Sequence, residues 1–160
     1  MTPSEDRRNA LRTIMVHLTA ALGIEVIPND DQRAPSVGAS TWARILVNDI
    51  DGRFSGRSSG VRRTRQDFLV TVDIFGRSND SAQASATDAL DRVASIAYSE
   101  LVYASLPLKD YVTDPSGATT LAGLVIRNIQ PPTPRFPPAS DGYSRRMVEA
   151  PMYLHILHEV

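Results

Sequence analysis

Residues 66–79 read Gln66-Asp-Phe-Leu-Val-Thr-Val-Asp-Ile-Phe75 followed by Gly76-Arg-Ser-Asn79, and this stretch decides the fold. Phe68, Val70, Val72 and Ile74 recur with a period of two, the pattern of a strand that buries one face. Gly76 to Asn79 reads as a turn. A long helix is expected after it, from about Ser81 to Ser105. Ala86, Ala89, Leu90, Val93, Ile96, Ala97 and Leu101 form one stripe of that helix, at a spacing near 3.6. Asp80 and Gln83 stand at capping-box spacing, which marks its start. A strand and a helix joined this closely are expected to pack on each other, with the other elements built around them.

Upstream, Thr2, Pro3 and Glu5 mark the start of a first helix. Leu11, Ile14, Met15, Leu18, Ala21 and Leu22 make its apolar stripe, and Gly23 ends it. A short extended piece runs from Ile24 to Pro28, and Asn29 to Ser40 reads as a loop. Thr41 to Asp49 alternates, with Trp42, Arg44 and Leu46 on one side and Ala43, Ile45 and Val47 on the other. Asp51 to Val61 carries three glycines and three serines, too much backbone freedom for a strand interior. Residues 51–61 are therefore expected to form the flexible tip of a long antiparallel hairpin.

Downstream, Leu108 to Ala118 reads as a connector with a turn at Asp114-Pro-Ser-Gly117. Thr119 to Gln130 is β-branched and alternating, hence a strand. Residues 131–138 form a proline-rich connector that is barred from a central sheet position, because proline lacks the ladder donor. Tyr143 to Ile156 is a final long strand, with Pro151 marking a bulge or an edge. This order predicts one α+β domain over residues 1–160. Its sheet is mainly antiparallel, with two amphipathic helices packed on one face and a long extended hairpin.

Composition limits what such a domain does. A chain of 160 residues buries roughly 70% of its unfolded surface, enough for a core without staples. Cysteine is absent, which removes disulfides and thiolate metal sites. A net charge of −1 argues against a generic nucleic-acid binder. No apolar run approaches the ~20 residues of a membrane span, and the opening Met-Thr-Pro-Ser-Glu-Asp does not read as a secretory signal. The chain reads as a soluble protein made in the cytoplasm.

No assembled active site is legible, so the expectation is a non-enzyme without cofactor or metal. Gly56-Arg-Ser-Ser-Gly60 matches the G-x-S-x-G elbow of serine hydrolases, but that chemistry needs Ser58 between a strand and a helix, with histidine and carboxylate partners. The plainer reading is a glycine-serine hairpin tip. His17 reads as a helix-packing residue. His155 and His158, near the chain end beside Glu159, lack a ligand cluster.

The arginines say more. Arg53, Arg57, Arg62, Arg63 and Arg65 lie in one short segment whose only acid is Asp51. They suit carboxylates of a neighbouring subunit or phosphates passing nearby, and they equally suit a solvated loop. Pro131 to Pro134 and Pro134 to Pro137 are two P-x-x-P frames. They read as a stiff connector, or as a polyproline ligand. Phe136 among them has no evident core position and reads as an interface anchor.

The succession of an N-terminal helix, a strand such as Trp42-Ala-Arg-Ile-Leu-Val47, a long hairpin, Phe68-Leu-Val-Thr-Val-Asp-Ile-Phe75 and an alanine-rich helix resembles the tail terminator, or tail completion, proteins of tailed bacteriophages. The likeness runs from about residue 5 to 157. It implies a structural virion protein at the head-proximal end of the tail, assembled in the host cytoplasm. Six copies would form a ring that caps the tail tube and meets the head-side connector. The arginine tip would then reach the next protomer or line the channel through which DNA passes, and no membrane is involved. A neck or head–tail connector protein of the phage is the alternative, and a small hydrolase using Ser58 a third reading.

Overall fold

The computed structural model describes residues 3–36, 39–58, 61–77, 83–127, 133–136 and 143–159, with the side chains of 49–55, 57–58, 61–62, 83–87 and several others outside the described set. In chain order the elements are α1 (Pro3–Leu22), β1 (Glu25–Pro28), β2 (Thr41–Ser58), β3 (Val61–Arg77), α2 (Gln83–Val102), β4 (Ser105–Lys109), β5 (Thr120–Arg127), β6 (Thr133–Arg135) and β7 (Tyr143–Glu159). The strands form one sheet in the order β1-β2-β3-β7-β5-β4, with β6 also beside β7. Among the described residues only β1 and β2 run parallel; the other pairs are antiparallel. The fold is α+β.

The stretch from Gln66 to Phe75 lies at the centre of this sheet. β3 pairs with β7 along its whole length, Val61 against Glu159 through Arg77 against Tyr143, and with β2 on its other side. Phe68, Val70, Val72 and Ile74 are buried to within 2% of full exclusion. Each row continues across the sheet: Ile45–Val72–Val148, then Val47–Val70–Ala150. Both helices cover this face and close one core. α1 contributes Ala10, Ile14, Leu18 and Leu22, and α2 contributes Leu90, Ala97 and Leu101. Burying one such aliphatic side chain stabilises the fold by roughly 1.5–3 kcal/mol.

Local chemistry ends the elements where the sequence marks them. Gly23, at φ 64, takes the left-handed position after α1, which glycine reaches without steric penalty. Gly117, at φ 68, closes the Asp114 turn by donating its N–H to the Asp114 carbonyl at 2.9 Å. Asn9 and Thr13, buried at i and i+4 on α1, accept from the N–H groups of Tyr111 (2.7 Å) and Lys109 (3.1 Å). Two side chains of a helix thus receive backbone donors at the end of β4. Thr2 and Asp80, the expected caps, lie outside the described residues.

Several expectations need correction. The flexible tip expected over 51–61 is strand through Ser58 and again from Val61, with Ser59 and Gly60 outside the described residues. The physical reason is non-local: the last residues of β7 pair with β3 beside the hairpin, so ladder bonds on both sides of β3 outweigh glycine's freedom. Gly52 falls where Asp49 pairs with Phe68 and Arg53 with Gln66, a bulge that places three residues of β2 against one of β3.

Ser105 to Lys109, expected as helix end and connector, forms β4, an edge strand in which Pro107 is tolerated. Within the proline-rich connector, Thr133 to Arg135 pair with Glu149 to Met147. Pro134 joins a sheet there, though only as a strand beside β7. α2 ends at Val102, and Ala89, expected in its buried stripe, is exposed.

Candidate functional site

Towards its far end the sheet narrows. β1 flanks β2 only as far as Ile45, and β5 flanks β7 only as far as Ile156. What continues beyond Ile156 is a three-stranded arm of β2, β3 and β7; Arg57, Arg62 and Arg63 lie in it, and Arg53 and Arg65 lie just before it, in rows where β5 still flanks β7. The register rows that carry the five arginines are Arg53–Gln66–Leu154, Phe54–Arg65–His155, Gly56–Arg63–Leu157 and Arg57–Arg62–His158. The side chains of Arg53, Arg57 and Arg62 lie outside the described set, so the backbone register alone places them.

Arg63 and Arg65 are exposed. Arg65 donates through Nε to Asp67 Oδ1 at 2.7 Å, and its guanidinium stands 4.4 Å from the centre of the Tyr153 ring. The hydrogen bond to Asp67 raises the pKa of Arg65, with burial working against it. Arg65 is therefore a fixed cation, partly neutralised by its own strand. On the arm's other face Thr64 and Gln66 are buried beside Leu154 and Ile156.

Nearer the body, the sheet face that carries Arg65 holds an aromatic cluster. Trp42 stacks on Phe75 with centroids 5.5 Å apart and meets Tyr143 edge-on at 5.0 Å. Arg145 lies over Phe75 at 5.3 Å and pairs with Asp73. That hydrogen bond raises its pKa, with burial opposing. Arg135 pairs with Glu149 across β6 and β7 at 2.5 Å. Arg145 and Arg135 thus each meet an acid of the same sheet, as Arg65 does.

Phe136, directly after β6, is 70% exposed. The Arg146 guanidinium lies 5.1 Å from its ring centre and also pairs with Asp91 of α2. Between α2 and β6 opens a cavity of about 440 Å³, lined by Tyr98, Pro134, Phe136 and Met147 with the Asp91–Arg146 pair at its wall. This concavity does not adjoin the arm. Met147 and Leu157 are about ten residues apart on β7, roughly 33 Å at strand rise. The five arginines fall at one end of the β2–β3 hairpin, with Arg53, Arg57 and Arg62 in register on one face and Arg63 and Arg65 on the other; Phe136 adjoins neither group.

The remaining candidates find ordinary places. Ser58 pairs with Val61, and a strand rather than a helix follows, so the strand–turn–helix context of a nucleophile elbow is not met. His17 meets Glu100 at 2.7 Å and ties α1 to α2. His155 stands opposite Arg65, and His158 opposite Arg62. Among the described residues, no group of three or more histidines, cysteines or carboxylates could hold a metal ion. No helix described is long and apolar enough to cross a membrane.

Sequence reasoning missed the aromatic cluster and the cavity. Trp42, Phe75 and Tyr143 come from three strands, and Asp73 and Arg145 stand 72 positions apart. No local pattern signals such a pairing.

No family model and no curated protein matches the chain. Solved structures do match it, and one aligns over 96% of both chains with a TM-score of 0.56 at 15% identity. A likeness at that identity shows a shared fold and carries no function with it.

Proposed function

We propose that this chain is a ring-forming structural protein of a phage tail, a tail terminator that caps the tube and meets the head-side connector. The observation that carries this reading is the arm: a three-stranded, arginine-bearing extension of the central strands, set on a body of two helices and a sheet. A ring of identical subunits needs two different surfaces on each protomer, joined by a rotation that closes. An arm projecting from a body supplies such a pair. The order of helix, hairpin, strand and helix supports the same assignment, through the resemblance drawn from the sequence. The work is binding, with the arginines reaching a neighbouring protomer or the DNA that passes through the ring.

Native mass spectrometry and electron microscopy test it, on the protein alone and with tail tubes. The expected result is a closed ring, hexameric by the resemblance, seated on tube ends. A protein that stays monomeric and never associates with tubes or connectors would defeat the reading. Density on the head side of the joint in a virion map would move it to the neck.

A further inference from the structure

The outer edge of β2 is covered only at its start. β1 ends opposite Ile45, Asn29 donates its N–H to the Ile45 carbonyl at 2.8 Å, and Arg7 donates to the Val47 carbonyl at 2.5 Å. From Asp49 to Ser58 no strand stands outside β2 among the described residues. The two capped carbonyls show that odd-numbered residues turn their backbone polar groups outward. The ladder preserves that alternation through the bulge, because Asp49–Phe68 and Arg53–Gln66 are pairs of the same kind. Arg53, Ser55 and Arg57 therefore present N–H and C=O groups to whatever lies beside the arm.

A free edge of this kind is a template for one more strand. Its charge selects which. A second copy pairing antiparallel about Ser55 would set Arg53 opposite Arg57 in both directions, and like charges directly opposite destabilise a pair. The arm already holds such a conflict, since Arg57 stands opposite Arg62. An added strand that carries acids relieves it.

We propose that the outer edge of β2, from Arg53 to Ser58, is a strand-addition site for an extended segment of another protein. That segment bears two acidic residues four positions apart, opposite Arg53 and Arg57, with a small residue between them opposite Ser55. Backbone hydrogen bonds at Arg53, Ser55 and Arg57 hold the strand, and the two arginines choose it. The proposal does not rest on ring formation and can fail or stand without it.

The test uses the full chain and three labelled probes: an all-threonine peptide with two glutamates four positions apart, its lysine counterpart, and an oligothymidylate of similar length. Binding is read by fluorescence anisotropy, and the bound edge by amide hydrogen exchange. The expected result is that the glutamate peptide binds and slows exchange at Arg53, Ser55 and Arg57. Ser55→Pro is expected to remove that binding while leaving the β3 amides protected, because proline is tolerated where the lost N–H points out of the sheet. The double variant Arg53→Glu, Arg57→Glu is expected to weaken the glutamate peptide by about tenfold and to favour the lysine peptide.

No protection at those three amides would overturn the proposal, as would unchanged peptide binding by a folded Ser55→Pro protein. Loss of the hairpin in Ser55→Pro would overturn it too, because that N–H would then belong to the β3 ladder. Binding of oligothymidylate without the peptide would show phosphate contact in place of strand addition.

Discussion

Gly117 offers the sharpest test of the turn that orders residues 110–119. Its φ of 68 lies in the left-handed region, and a Cβ built there would stand 2.3 Å from Cε1 and 2.6 Å from Cζ of Tyr111. Gly117→Ala therefore carries two separate costs. The left-handed backbone costs an L-residue roughly 1–2 kcal/mol. Displacing the half-buried Tyr111 ring is an overpacking of about 1–3 kcal/mol. The sum, about 2–5 kcal/mol, corresponds to a fall in Tm of roughly 5–15 °C for a domain of this size. Urea unfolding with an unchanged m-value measures it.

A double-mutant cycle separates the parts. In a Tyr111→Ala background the clash is gone, so Gly117→Ala is expected to retain only the backbone cost, about 1–2 kcal/mol. Equal losses in both backgrounds would refute the steric argument. A midpoint unchanged by Gly117→Ala alone would refute the turn geometry altogether.

Three further outcomes are expected. Asp114 accepts from the Ser116 hydroxyl, then from the Thr119 N–H and hydroxyl, and these bonds lower its pKa from 3.8 to about 2. Because the folded value lies below the unfolded one, the turn's contribution is complete above the unfolded value of 3.8 and is lost as pH falls through about 2. A carboxyl NMR titration with a midpoint near 3.8 would contradict the bonds. Ile74→Ala, at 0% exposure, is expected to cost about 2–5 kcal/mol. Phe136→Ala, at 70% exposure, is expected to stay within about 0.5 kcal/mol, so comparable denaturation midpoints for the two would break the burial argument. Neutralising Arg53, Arg57 and Arg63 together is expected to leave the far-UV spectrum and the melt unchanged and, on the proposed ring-forming function, to weaken ring closure; fully normal assembly would leave these arginines as solvated charge.

What could be read ahead of the structure followed the range of the interaction. The buried faces of β3 and α1 were legible because a period of two or of 3.6 is written into neighbouring residues. So were Gly23 and Gly117, whose positive φ follows from helix-end and turn chemistry. Trp42 lies on the side away from Ala43, Ile45 and Val47, as the alternation of β2 implies. Its aromatic partners were not foreseen, since Phe75 and Tyr143 reach it only through strand pairing. β4 was missed because five residues interrupted by Pro107 are too short for a period. The anchoring of β4 by Asn9 and Thr13 spans 102 and 96 positions, a distance at which polar helix residues give no sign of their partners.

The arm shows how local and distant terms compete within one segment. Glycine in a strand costs roughly 0.5–1 kcal/mol against alanine, so Gly52 and Gly56 weigh against the hairpin by about 1–2 kcal/mol. Against this stand the ladder bonds, each worth roughly 0.5–1.5 kcal/mol net, made by β3 with β2 on one side and with residues 154–159 of β7 on the other. The second set of bonds adds to the first, and it comes from the far end of the chain, where nothing local announces a partner for Arg62 to Gln66. The five arginines are thereby held in register with the core strands, in place of riding on a tether. A contact made through them would align a partner with the central strand itself, and weakening the last paired residues of β7 would disturb that contact before it disturbed the core.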